Sequence, residues 1–421
     1  MLVEFRVKNF RSLRDEQILS LVAAKDKSLE DTHTFTTGIN AVPTLLRSAV
    51  IYGANASGKS NLIKALQYMR GVVLESASVI QPGQTYSVQP FRLDAKSAQQ
   101  PTEFEITFLL DGIRYQYGFT MTTQRIMSEY LLVYKAFKPQ CWFKRQYDPE
   151  TDKDIYEFGA GLKGSKNTWE TATRPNSLFL SMAVQLNSEP LRPIFDWFVN
   201  QLLIFNEQAK LNPQISIQQL QQADNSKIFC DALTAADMSI SNIEVISRKV
   251  PRQAVHVDFT DGKTEIRNEE MEEYQLRFRH VTAEGEATFD LMDESSGTRN
   301  LLFLIGPIRD VLKKGITLII DELDTSLHTL LVRDLVKQFY HPNLNTNGAQ
   351  IIFTTHDTSL LDAYGLFRRD QIWLVEKDRQ QASKLVALSE FSPRKNEALE
   401  RGYLQGRYGG VPFLKQLGLK C

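Results

Sequence analysis

Eight residues, GANASGKS from Gly53 to Ser60, set two glycines, a lysine and a hydroxyl at the spacing G-x-x-x-x-G-K-[ST]. Glycines let the backbone curl so that N–H groups point at phosphate oxygens, and a helix N-terminus adds positive potential. In that pattern Lys59 is expected to reach the β- and γ-phosphates, and the Ser60 hydroxyl to ligate Mg2+. Gly53, Asn55, Ala56, Ser57, Gly58 and Asn61 complete the expected nucleotide loop. Far downstream, ITLIIDEL ends an apolar run in two acids. Asp321 suits the cation, and Glu322 suits orienting or deprotonating an attacking water. The same pair also fits a plain helix cap after a strand. IIFTTHD ends a third apolar run near His356, whose neutral imidazole suits sensing a γ-phosphate; a satisfied surface or core histidine is the other reading.

The elements that must hold these groups are legible in the apolar spacing. In LVEFRVKNF, Val3, Phe5 and Val7 alternate with Glu4, Arg6 and Lys8, which predicts a half-buried strand. SAVIYG reads as a strand. SNLIKALQYMRGVV places Leu62, Leu66, Met69 and Val73 at helical spacing, so the glycine loop joins a strand to a helix. TEFEITFLLDGIRYQYGFTM predicts a hairpin around Asp111-Gly112, a pair suited to the two positive φ angles of a type I′ turn. Strand-like sequence continues to about Phe158, and GAGLKGSKN reads as an exposed loop. The stretch from SLFLSMAVQ to NQLLIF reads as largely helical, as does QQLQQADNSKIFCDALTAAD. AVHVDFTDGKTEI predicts a second hairpin around Asp261-Gly262, and EEYQLRFRHV alternates. Near the C-terminus, the helical RNLLFLIGPIRDVL and TLLVRDLVKQFY intersperse with ITLIIDE, AQIIFTTHD and DQIWLVEKD. Such alternation predicts a parallel sheet with right-handed crossovers. The expected organisation is an N-terminal core part (1–205), a helical or mixed insertion lobe (206–285) and a C-terminal core part (286–421).

Composition narrows the class. The chain has 421 residues, 42% hydrophobic and 24% charged, which suits a soluble globular protein with a sizeable core. A net charge of −1 provides no global field for nucleic acid. YKAFKPQCWFKRQY interleaves bases with aromatics; it fits a single-strand platform or a strand with one buried face, so direct nucleic-acid contact stays open. Three scattered cysteines form no disulfide framework or zinc spacing and suit a reducing compartment. No signal-peptide core and no run of 18 apolar residues occur, so the expectation is cytoplasmic, without a membrane span.

One stretch remains, DESSGTRNLL from Asp293 to Leu302, which by itself reads as a helix start. In chain order, FRVKNFRSLRD, GANASGKS, DESSGTRNLL, DELDTSLH and TTHD resemble five motifs of the ABC-type ATPases, within them the soluble RecF, OLD and SMC relatives. The motifs are the opening strand, phosphate loop, signature, acidic strand with D-loop (Asp324, Thr325, Ser326) and His switch. The resemblance implies an α/β fold: an ABC-type P-loop ATPase head with a mixed or parallel sheet, flanking helices, an antiparallel β subdomain and a short, mainly helical insertion. It implies ATP and Mg2+ as cofactors and hydrolysis to ADP and phosphate. It also implies that Ser295, Ser296 and Gly297 close over the nucleotide of a second copy, making a head-to-tail homodimer or larger homo-oligomer. The sequence departs from the family where Ser296 replaces a usual glycine and Thr298 a usual Gln or Glu, which puts fine geometry in question.

Gln185 sits where these proteins carry a Mg2+-ligating glutamine, and one glutamine among many is an equal reading. Arg11, with Asn9, approaches the nucleotide from the first strand or forms a solvated strand end. YLQGRYGGVPFL and PFRLD resemble segments of stand-alone ATPases in bacterial phage-defence and abortive-infection operons. That implies a sensor or regulator working with a separate effector such as a nuclease, since no acidic cluster like a Toprim domain follows the core. Fold alone does not fix function. A RecF-like DNA-repair or clamp ATPase and an ATP-locked scaffold holding a toxic partner are the rivals. A transporter nucleotide-binding subunit fits the hairpin region and the insert least.

Overall fold

The computed structural model describes residues 1–205, 213–222, 225–257, 264–394 and 397–411. They form two compact units: Met1–Gln208 with Val311–Thr325 and Val332–Cys421, and Ala209–Asp310 with Ser326–Leu331.

In the first unit, the strand that leads into the glycine loop, Ser48–Gly53, is buried at every residue. It lies inside a six-stranded sheet with the order Leu202–Phe205, Thr317–Ile320, Gln350–Thr354, Ser48–Gly53, Ile372–Lys377, Ser383–Ala387. The first five strands are parallel and the last is antiparallel to its neighbour. Thr317–Ile320 and Gln350–Thr354 are likewise buried throughout, the continuous apolar pattern of strands covered on both faces. One strand therefore separates the glycine-loop strand from the acidic strand, and the carboxyl ends of all three lie side by side, where open α/β sheets bind ligands. The helix Lys59–Glu75 packs on this sheet through Leu62, Ile63, Leu66, Met69 and Val73.

A seven-stranded antiparallel sheet shares the same core, in the order Lys153–Phe158, Gln140–Asp148, Ile126–Tyr134, Ile113–Met121, Thr102–Leu110, Leu2–Lys8, Gln17–Ser20. Leu110 pairs with Ile113, and Asp111 and Gly112 take φ of +51° and +72°, as the type I′ turn requires. Phe5, Phe104, Phe108 and Phe119 are buried in one cluster with the helix residues, and Trp197 stacks on Phe108 at 4.0 Å.

This sheet also buries charge. Glu129 and Arg145 are both fully buried, 3.9 Å apart. The Glu129 carboxylate accepts from Tyr117 Oη (2.9 Å) and from the Phe179 and Leu180 amides (2.6 and 2.9 Å), the first N–H groups of the helix Phe179–Gln185. Arg145 donates to Asp154 (2.8 Å) and to the Ser177 carbonyl (2.6 Å). Phe143 and Arg145 are buried while Lys144 and Gln146 are exposed, so the basic-aromatic stretch is a strand with one buried face.

Two local expectations change. The LLIF end of the stretch read as helical is the strand Leu202–Phe205, because it finds a parallel partner in Thr317–Ile320. GAGLKGSKN is not wholly exposed: Leu162 is fully buried within it.

The second unit contains the helices Gln214–Leu220 and Asn225–Ala235 and a three-stranded antiparallel sheet, Asn242–Val257, Thr264–Thr282, Gly285–Asp290. The insertion, read from sequence as a helical or mixed lobe, is mixed, with a long two-stranded ribbon as its largest element. Ile243, Leu276, Phe278, Phe229 and Leu233 are buried in it. The Asp261-Gly262 turn lies outside the described residues. Pro307, inside the helix Ser296–Lys314, cannot donate to the Phe303 carbonyl; Ser216 Oγ lies 3.4 Å from that oxygen and donates to the Leu302 carbonyl at 2.9 Å. Among the described residues no helix is long and apolar enough to cross a membrane.

Candidate nucleotide site

The loop between Gly53 and Lys59 is held in a shape that only particular residues permit. Gly58 has φ of +113°, and a Cβ there would lie 2.8 Å from Ser12 Oγ, so no side chain fits. Ala56 is also left-handed, at +61°. Asn55 and Ala56 are exposed, Ser57 and Lys59 buried, and Ser60 half-buried. Two serines from distant parts of the chain brace the loop. Ser383 Oγ donates to the Ser57 carbonyl (2.5 Å) and meets Ser12 Oγ (2.7 Å), while Asn61 Nδ2 donates to Ser12 Oγ (2.8 Å). Asn61 therefore supports the loop from behind.

Lys59 folds back onto its own loop, donating to the carbonyls of Gly53 (2.7 Å) and Ala54 (3.3 Å). Burial lowers its pKa, and the carboxylates of Glu322, Asp321 and Asp324 oppose that shift. A phosphate group is a stronger acceptor than the two carbonyls, so this ammonium is poised to exchange them for one.

The acids lie at the end of Thr317–Ile320 and are held by the strand between. Thr354 Oγ1 donates to Asp321 Oδ1 (2.7 Å) and accepts from the Glu322 amide (2.7 Å). Glu322 is left-handed, φ +56°, and its carboxylate stands 3.7 Å from His356 Nε2. The His356 amide donates to Asp324 Oδ2 (3.2 Å). Expected catalytic residues Lys59, Glu322 and His356 and the expected cation ligand Asp321 thus share one neighbourhood at the carboxyl ends of three neighbouring strands.

Ser57 Oγ, Asp321 Oδ2 and Asp324 Oδ1 are buried without a hydrogen-bond partner. Buried polar atoms of this kind need an explanation, and a phosphate–Mg2+ group supplies one. Among the described residues no cluster of three His, Cys, Asp or Glu could enclose a metal. A cation held by Asp321 and Ser60 would need phosphate oxygens and water to complete its shell, the usual condition of Mg2+.

Other expected residues stand apart. Gln185 ends its helix exposed, and no hydrogen bond joins it to the loop among the described residues. Arg11 is left-handed at φ +51°, with its guanidinium 5.7 Å from the Phe10 ring, and lines a groove with Lys64, Gln67 and Tyr68. Asn9 is a buried staple: its amide donates to Ser97 and Gln100 carbonyls and accepts from the Phe91 amide.

In the second unit, Ser295 caps the helix Ser296–Lys314. Its hydroxyl accepts from the Thr298 amide (3.0 Å) and meets Thr298 Oγ1 (2.8 Å). Thr298, the departure from the family pattern, thereby completes the cap. Ser296 is exposed at the first turn, and a Cβ on Gly297 would lie 3.0 Å from the Ser326 carbonyl, so a glycine permits this close approach.

Ser12 lies within FRVKNFRSLRD and Thr354 within TTHD, but neither motif assigns them a part, and Ser383 lies in none. Only the fold brings the two serines together.

No curated protein sequence matches the chain. Two solved structures align with 92% of it and with 97% of their own chains. One is an SmcHead bound to the C-winged helix domain of ScpA (14% identity, TM-score 0.38). The other is an Smc head domain with an extended coiled coil bound to the C-terminal domain of ScpA, derived from Pyrococcus furiosus (11% identity, TM-score 0.43). Likeness at this level carries no statement about activity. A family model described as "AAA domain, putative AbiEii toxin, Type IV TA system" matches residues 48–362, which include the glycine loop, the capped Ser295 turn, the acidic strand and the histidine. The chain belongs to this AAA-domain family.

Proposed function

We propose that the chain is a MgATP-driven switch that pairs with a second copy when ATP is bound and releases it on hydrolysis. The carrying observation is the convergence of Lys59, Asp321, Glu322 and His356 beside a loop with unpartnered buried polar atoms. In this reading Gly53, Asn55, Ala56, Ser57, Gly58, Lys59, Ser60 and Asn61 form the nucleotide loop. Ser60 and Asp321 hold Mg2+, which when bound offsets charge on the phosphates. Gln185 joins them only if its helix end moves toward the loop. Glu322 orients the attacking water or takes its proton, and His356 contacts the γ-phosphate. Ser296, at the start of a 19-residue helix, offers a hydroxyl and amides to an anion held by another copy. The resemblance of YLQGRYGGVPFL and PFRLD to segments of stand-alone defence ATPases supports a place in defence against phage, as the regulator of a separate effector such as a nuclease.

Glu322→Gln tests the switch. With Mg2+ and ATP, the variant should lose turnover by at least about 100-fold and accumulate a dimer or larger assembly that the wild type forms only transiently. Equal assembly and equally slow turnover in both proteins would favour the ATP-locked scaffold. Turnover stimulated by DNA and suppressed by salt would favour the DNA clamp.

A further inference from the structure

Thr354 is fully buried, yet it carries a hydroxyl at the end of a strand whose other residues, Gln350 to Phe353, are buried too. Both capacities of that hydroxyl are used. The Glu322 amide can only donate, so Thr354 Oγ1 accepts from it; the hydroxyl proton then goes to Asp321 Oδ1. The two bonds fix two different things. One orients the Asp321 carboxylate, using Oδ1 and leaving Oδ2 buried and unpartnered. The other holds the Glu322 backbone in its left-handed turn, which sets the side chain beside His356. A non-glycine residue keeps φ near +56° only when its surroundings fix it. The strand order explains why this position can do both: Gln350–Thr354 lies between the glycine-loop strand and the acidic strand.

We infer that Thr354 is a positioning residue for this site, a single hydroxyl that aims Asp321 at the cation and Glu322 at the attacking water. The inference rests on the MgATP reading above. Thr354 acts through the Asp321 carboxylate and the Glu322 backbone amide. Outer partners that orient a metal ligand typically change metal affinity or activity by about 10- to 100-fold when removed.

The test compares Thr354→Ser and Thr354→Ala in the full chain. Both lose the methyl group, so any packing cost is shared, and they differ only in the hydroxyl. Affinity for a fluorescent ATP analogue is measured in EDTA, and binding of Mn2+ as the metal probe is measured by electron paramagnetic resonance on the ATP-loaded protein. Thr354→Ala should bind the analogue in EDTA as Thr354→Ser does, but hold the metal about 10- to 100-fold more weakly. Its kcat should fall by a similar factor, with little change in KM, whereas Thr354→Ser should stay within a few-fold of wild type. Equal metal affinity in the two variants, each folded by circular dichroism, overturns the inference. Wild type that binds no nucleotide overturns the MgATP reading instead, and the two failures are told apart by the wild-type measurement.

Discussion

Removing the Glu129 carboxylate should cost the first unit a large share of its stability. Glu129→Ala takes away the acceptor for three donors, Tyr117 Oη and the Phe179 and Leu180 amides, and leaves Arg145 facing an empty position. Breaking one side of a buried ion pair costs about 3–5 kcal/mol. Asp154 still holds Arg145 at 2.8 Å, so the lower end of that range is expected. Against the roughly 5–15 kcal/mol that holds a typical domain, this is severe. Glu129→Gln keeps an acceptor oxygen but loses the charge. Charge-assisted bonds are about twice as strong as neutral ones, so about half the cost should remain, on the order of 2 kcal/mol. Urea unfolding followed by tryptophan fluorescence reads both. Hydrogen exchange gives a local signature: the Phe179 and Leu180 amides, the start of the helix ending at Gln185, should lose protection before the rest of the sheet. A Glu129→Ala protein within about 1 kcal/mol of wild type, or a Gln variant as damaged as the Ala variant, would refute the reasoning.

Acid should weaken the fold through His33. Its ring is buried against Tyr340, with centroids 3.8 Å apart, and burial lowers its pKa from 6.5 to about 4. The unfolded chain therefore binds a proton that the fold resists, so stability present above pH 6.5 is lost as pH falls toward 4. The loss is about 3 kcal/mol over that window. His33→Gln should flatten this limb of the pH–stability curve, and an unchanged limb would assign the acid sensitivity elsewhere. Ser383→Ala removes the bond to the Ser57 carbonyl, worth about 1 kcal/mol; ATP affinity should fall about 5-fold while the thermal midpoint moves by only a degree or two. Unchanged affinity would mean the loop holds its shape without the brace.

How much of this was legible depends on how local the signal is. Gly53 to Ser60 declares itself because a phosphate loop needs glycines and a lysine at fixed spacing. Asp111-Gly112 declares its turn because two consecutive positive φ angles suit few residue pairs. The alternation of Leu2–Lys8 announced a strand, but not that it lies between Thr102–Leu110 and Gln17–Ser20 in the antiparallel sheet. Leu202–Phe205 misled because four apolar residues after a helix carry no period of their own; a parallel neighbour decides their state. The ribbon Asn242–Val257 with Thr264–Thr282 was legible only in pieces, since long polar strands show weak apolar alternation. At the site, the residues with chemistry were legible, and those that aim them were not. Thr354, Ser12 and Ser383 act through tertiary neighbours, which no local pattern encodes.

The brace behind the glycine loop has a consequence for how the protein comes into being. Ser12 and Ser383 are 371 positions apart, and both meet at a loop encoded near the beginning of the chain. Contacts so distant in sequence form late, after the segments between them have found their places. A ribosome-bound fragment that stops short of Ser383 carries the whole GANASGKS sequence but lacks the partner of the Ser57 carbonyl. The shape of the loop is therefore completed only when the strand Ser383–Ala387 has joined the sheet, long after the loop itself has been made.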